Sequence, residues 1–178
     1  MHKNQQMITG YVVGGLLVLV LVPYLLYRMT FLLNTLYSLE IISNPVLRWI
    51  IIGILLSIGI YFAIRSLVFQ NTIGKGGPVE IGKIKISPKT EHLVVTGPYK
   101  YTRNPMLFGT FSIYLAFALF LNAVNAVLLV CAFVVFMLTV VVPKEEKRLV
   151  QDFGEEYIAY RKKVSLFFPW IQKNKQNN

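Results

Sequence analysis

The densest concentration of reactive and backbone-constraining residues in the chain runs Leu93-Val94-Val95-Thr96-Gly97-Pro98-Tyr99-Lys100-Tyr101-Thr102-Arg103-Asn104-Pro105-Met106-Leu107. Pro98 and Pro105 each fix their own φ and push the preceding residue, Gly97 or Asn104, toward extended geometry. The stretch between them is therefore expected to hold a defined non-helical shape. A helix that starts near Pro105 presents free backbone N–H groups beside Arg103, which together suit a carboxylate or a phosphate. The structural alternative is an interfacial anchor, with Tyr99 and Tyr101 in an aromatic belt and Lys100 and Arg103 facing lipid phosphates.

A second cluster follows at Pro143-Lys144-Glu145-Glu146-Lys147-Arg148. After it, Leu149, Phe153, Tyr157, Tyr160 and Val164 recur at helical spacing, which predicts an amphipathic helix packed on the membrane or its interface, bent at Gly154. Apart from Glu40, Glu145 and Glu146 are the acids closest to the apolar stretches, where a carboxylate needs a partner or a cation to serve. One reading is salt bridging to Lys144, Lys147, Arg148 or Arg103. The other joins the two clusters: an arginine at one side and two glutamates at the other suit a ligand that carries both a carboxylate and cationic groups.

The elements that must position these residues are membrane spans. Of 178 residues, 55% are hydrophobic and 15% charged, with a mean hydropathy of +0.57. Such a chain is neither a disordered tail nor, with Cys131 as its one cysteine, a disulfide-stapled module. Residues 7–27, 46–69, 105–121 and 123–142 are each long and apolar enough for a span, the last two forming a hairpin that turns at Asn122 and Asn125. Gly10, Gly14 and Gly15 offer a small-residue packing face in the first. Residues 28–48 fit either an interfacial segment or a fifth span. The expected fold is an all-α polytopic membrane protein with four or five spans and a C-terminal amphipathic helix.

The net charge of +10 comes from 18 Lys plus Arg against 8 Asp plus Glu, and it collects in residues 70–103 and 144–178. By the positive-inside rule both segments, and with four spans both termini, are cytoplasmic, in a bacterial inner membrane or the endoplasmic reticulum. Residues 1–27 read as a retained span rather than a cleaved signal peptide, because the apolar stretch is long and no A-x-A site follows. Residues 71–88 have linker-like composition. Cys131 has no zinc-ligand spacing around it, so no metal is expected. Basic residues interrupted by spans make nucleic acid an unlikely partner. His92 reads as a loop residue, and Trp49 and Trp170 as interface anchors.

The two clusters, in this order and at hairpin spacing, resemble the integral-membrane methyltransferases that include isoprenylcysteine carboxyl methyltransferases and phospholipid methyltransferases. The resemblance covers roughly residues 90–169. It implies that residues 70–178 form a half that binds S-adenosyl-L-methionine, and that residues 1–69 form an acceptor side open to a lipophilic or lipid substrate. It also implies a cofactor pocket made by Leu93, Val94, Gly97, Tyr99, Arg103, Asn104, Pro105, Leu107, Glu145 and Glu146, with Arg103 and Glu146 nearest the chemistry. Family members often carry His at the position of Asn104 and Tyr at that of Leu107. Two rival readings are a sterol-type nicotinamide-dependent reductase and a non-catalytic membrane adaptor or small transporter that binds anionic lipids through the basic loop. The acceptor and the oligomeric state are left open by the sequence.

Overall fold

A computed structural model describes residues 3–35, 39–75 and 90–170. The elements are α1 (Lys3–Leu16), a π segment (Leu17–Leu21), α2 (Val22–Asn34), α3 (Pro45–Thr72), a 3-10 turn (Gly97–Lys100), α4 (Pro105–Leu121), α5 (Val124–Phe136), a second π segment (Met137–Val141) and α6 (Val142–Lys163). The expected all-α polytopic membrane protein is what the chain forms. Among the described residues three helices are long and apolar enough to cross a membrane, and α4 is a shorter apolar helix beside them.

Helical geometry runs unbroken through both π segments, so the chain makes two long rods, one from α1 to α2 and one from α5 to α6. The two π segments share one cause. Val22 donates its N–H to Leu17 O and Val142 donates to Met137 O, each five residues back, and a proline follows at once, Pro23 or Pro143. The proline nitrogen has no hydrogen and its ring crowds the preceding turn, so the wider π turn admits it without breaking the rod. In the first rod the carbonyl left without a helical donor is Val18 O, and the buried Tyr114 hydroxyl of α4 donates to it at 2.6 Å. The rod from Val124 to Lys163 has 40 residues. It is broken at Gly154, and at about 1.5 Å per residue even the part before that break is longer than the hydrocarbon layer is thick, which leaves the end of α6 beyond the span.

The span boundaries differ from the expected ones where polar residues are tolerated inside helices. The first rod continues past Arg28 to Asn34, whereas α3 holds both Arg48 and Arg65 as the expected span 46–69 does. The described residues of 28–48 form neither a fifth span nor a separate interfacial helix. They complete α2, cross through residues 39–44 and begin α3, whose first turn is capped by Asn44 Oδ1 accepting from Leu47 N at 3.1 Å. The hairpin turns at the asparagines as expected. Asn122 adopts a left-handed conformation (φ 50°) and its Oδ1 accepts from Ile41 N and Ile42 N at 3.3 and 3.1 Å. Asn125 Nδ2 donates to Asn34 Oδ1 at 3.1 Å.

α3 packs chiefly on α4, and α5 on α2 and α4. The close approach of α3 to α4 is set by Gly59 and Gly109. A Cβ on Gly59 would lie 2.8 Å from Gly109 O, and one on Gly109 would lie 2.8 Å from Gly59 O. Small residues let membrane helices approach this closely. Gly15, expected to pack, has open space around it instead. The core holds Leu26, Tyr114, Ala118, Ala123, Ala126 and Val130, while large apolar residues such as Ile8, Leu19, Phe31, Ile54 and Leu128 point outward, as lipid-facing side chains do. Residues 76–89, which include most of the linker-like stretch 71–88, lie outside the described residues, as does His2.

Candidate functional site

The segment between the two prolines is held from three sides. Gly97 takes a positive φ of 61°, and a Cβ there would fall 2.5 Å from the ring of Phe69 on α3, so no other residue fits. The 3-10 turn from Gly97 to Lys100 then closes with Tyr101 N donating to Pro98 O at 3.1 Å. Before it, Val94 is buried against Gly74 at the end of α3, and Gly74 O accepts from Glu91 N at 2.8 Å.

The second side is the returning chain. Residues 164–170 lie along residues 101–104 through a parallel bridge between Thr102 and Ser165. Arg103 N donates to Ser165 O and Trp170 N to Tyr101 O, both at 2.9 Å. Asn104 Nδ2 donates to Leu166 O at 2.9 Å, and the fully buried Thr102 donates to the same carbonyl at 3.3 Å. With its amide spent on Leu166, Asn104 makes no side-chain cap for α4. Pro105 supplies no N–H, and the first turn of α4 opens beside Arg103 with Met106 and Leu107 at its second and third positions.

The third side is α6. Gly154, at φ 53° and ψ −128°, breaks the helical path as expected, and the turns after it carry Tyr157, Tyr160 and Arg161. Tyr160 donates its hydroxyl to Tyr99 O at 2.6 Å. Tyr157 donates to Glu146 Oε1 at 3.1 Å. The same Oε1 stands 2.7 Å from Arg103 Nη1, with both side chains largely buried, and Arg161 Nη1 is 3.9 Å from Oε2. Glu146 therefore has three positive or donating groups around it.

Arg103 is less completely served. Its Nη1 meets Glu146 as an ion pair without an aligned N–H, and its buried Nε has no hydrogen-bond acceptor among the described residues. A buried donor left so is expensive unless a ligand completes it. Glu145 has a different setting. Its side chain keeps 49% of its surface open, with Arg148 Nη2 at 3.7 Å. Desolvation, then the charge of Glu146, push its carboxyl above the usual carboxylate range. Burial and the charge of Glu145 likewise push the Tyr99 phenol up.

Of the residues expected from the sequence, Gly97, Tyr99, Arg103, Asn104, Pro105, Glu145 and Glu146 come together here. Among the described residues the polar contacts that join the two clusters do not involve Leu93, Val94 or Leu107. Tyr157 and Tyr160 were legible only as part of a helix face and Arg161 only as one of the basic residues of 144–178, and all three follow the bend at Gly154. The part taken by Leu166 O and Ser165 O leaves no mark in side-chain chemistry, because the backbone atoms do the work.

The helices thus gather an arginine, two glutamates and the uncapped start of α4 into one region. A sequence model of the phospholipid methyltransferase family matches residues 47–156. That is more than half of the chain, which belongs to this family of membrane methyltransferases. The match runs from α3 into α6 and ends before Tyr157, Tyr160 and the returning segment. No individually curated protein matches the chain.

Proposed function

We propose that the protein transfers the methyl group of S-adenosyl-L-methionine to a phospholipid amine or another lipophilic acceptor that enters from the bilayer. The observation that carries this reading is the Arg103–Glu146 pair, which joins the two clusters beside the start of α4 while leaving Arg103 Nε without an acceptor. The residues fit the cofactor. Arg103 Nε and the first N–H groups of α4 would take its carboxylate, and the Glu145 carboxylate would face its cationic groups. When bound, the cofactor supplies a methyl group on a positively charged sulfur, activated for displacement.

The chain's own part is placement and proton handling. Glu146, occupied by Arg103, Tyr157 and Arg161, fixes the guanidinium and serves as the positioning group. Glu145, with its raised affinity for a proton, is suited to take one from an acceptor amine. Val94, Tyr99 and the returning segment exclude water, which strengthens these charge interactions. Residues 1–69 form the acceptor side, and both basic segments and both termini face the cytoplasm. Family membership favours this reading over a nicotinamide-dependent reductase or an adaptor.

Calorimetry on purified protein tests the binding step, and transfer of labelled methyl groups to phosphatidylethanolamine vesicles tests the acceptor. Saturable cofactor binding that Arg103→Ala abolishes supports the assignment. Binding by Arg103→Ala equal to wild type would overturn it.

A further inference from the structure

Residues 161–170 carry two faces of opposite character. The inner face is packed and bonded: Phe167 is buried, with its ring 5.8 and 5.5 Å from those of Phe108 and Phe111 on the first turns of α4. Phe108 in turn meets Phe62 of α3 at 5.0 Å. The outer face is apolar and open. Phe168 is 67% exposed and Trp170 69% exposed. Just before them Arg161, Lys162 and Lys163, all exposed, make the last turn of α6.

Two open aromatic rings beside three consecutive cations suit one environment. At the headgroup layer the rings enter the acyl boundary while the cations stay with phosphates. The ring contacts of Phe167 fix the depth, because they hold this turn at the start of an apolar helix, where the chain passes from polar to apolar surroundings. We infer that residues 161–170 dock on the anionic headgroup layer of the membrane the helices span, and that this docking clamps residues 99–104 in their working shape. The clamp acts through bonds already described: were the turn to lift, Tyr101 O, Arg103 N and Asn104 Nδ2 would all lose their partners.

The test uses the full chain carrying Trp49→Phe, so that Trp170 is the sole tryptophan. The protein is reconstituted into vesicles of phosphatidylcholine alone or of equal parts phosphatidylcholine and phosphatidylglycerol. Brominated acyl chains should quench Trp170 emission more strongly in the anionic vesicles. Lys162→Gln with Lys163→Gln should weaken seating about fivefold per charge removed, the factor that about 1 kcal/mol per basic residue near an anionic surface represents. The amides of Arg103 and Trp170 should exchange hydrogen faster in phosphatidylcholine alone, and faster again in Phe168→Ser, while α3 and α4 keep their protection. Quenching of Trp170 by aqueous iodide to the same extent in both vesicles would overturn the proposal. So would shielding that follows self-association of the protein instead of phosphatidylglycerol content. Neither readout involves catalysis, so the outcome is separate from that of the methyl-transfer reading.

Discussion

Arg103 Nη1 lies 2.7 Å from Glu146 Oε1, a contact that ties the start of α4 to α6 across the whole α4–α5 hairpin. Both side chains are largely withdrawn from water, so neither charge is easily left alone. Glu146→Ala is expected to destabilise the protein by about 3–5 kcal/mol, and Arg103→Met with Glu146→Leu by clearly less than the sum of the two single changes. Denaturant unfolding in micelles, arranged as a double-mutant cycle, measures the difference.

The two tyrosines beyond the Gly154 bend divide the support between them. Tyr157→Phe removes a hydrogen bond to the Glu146 carboxylate, and Tyr160→Phe strips a donor from Tyr99 O. Each should lower stability by about 1–3 kcal/mol. Because these hydroxyls position other groups, each should raise KM for the methyl donor several-fold at nearly constant kcat, which steady-state kinetics would show.

Glu145 gives a pH dependence whose sign follows from its raised pKa. The folded state favours the protonated carboxyl, so this group's contribution to stability is full in acid and is lost as pH rises through the folded pKa. Glu145→Gln should therefore melt above wild type at neutral pH, with the advantage vanishing in acid. Binding of a cationic ligand shows the opposite trend, strengthening with pH in wild type and staying flat in Glu145→Gln. Thermal melts and calorimetry across the acidic range check both.

The glycine contact between α3 and α4 has no room for a side chain. Gly59→Leu or Gly109→Leu must push the helices apart, at about 1–3 kcal/mol or more of overpacking, and should loosen Gly97 through Phe69. Loss of folded yield in detergent, with reduced cofactor affinity in what survives, is the expected result.

The first π segment predicts a compensating pair. Tyr114→Phe leaves Val18 O without its donor, for a loss of about 1 kcal/mol, typical of a hydrogen bond between membrane helices. Adding Pro23→Ala restores a backbone N–H in α2 and should recover part of that loss. Unfolding of the single and double variants compares them.

Much of this was legible beforehand because hydrophobic runs and prolines speak directly about spans and helix starts. The α4–α5 hairpin and its asparagine turn follow from the apolar residues 105–142, and Arg103, Glu145 and Glu146 stood out as charges near hydrocarbon. The path of residues 28–48 was not legible, since Arg28 reads as the end of a span yet sits inside a helix that runs on to Asn34. The π segments escaped for a different reason: span 7–27 runs across Pro23 and span 123–142 stops short of Pro143, and no local pattern marks the single widened turn that accommodates each proline. The clamp by Ser165 and Leu166 rests on main-chain atoms and on contacts 64 residues apart in sequence, which no local pattern encodes.

That separation has a consequence for the birth of the protein. The ribosome delivers residues 97–104 and both helices of the hairpin long before residues 164–170 emerge. The membrane bundle can therefore insert and pack while the rim segment is still missing its backbone partners. On the function proposed above, binding competence would then arrive last, and a chain interrupted after α6 should reach the membrane with its helices in place and residues 101–104 without their backbone partners.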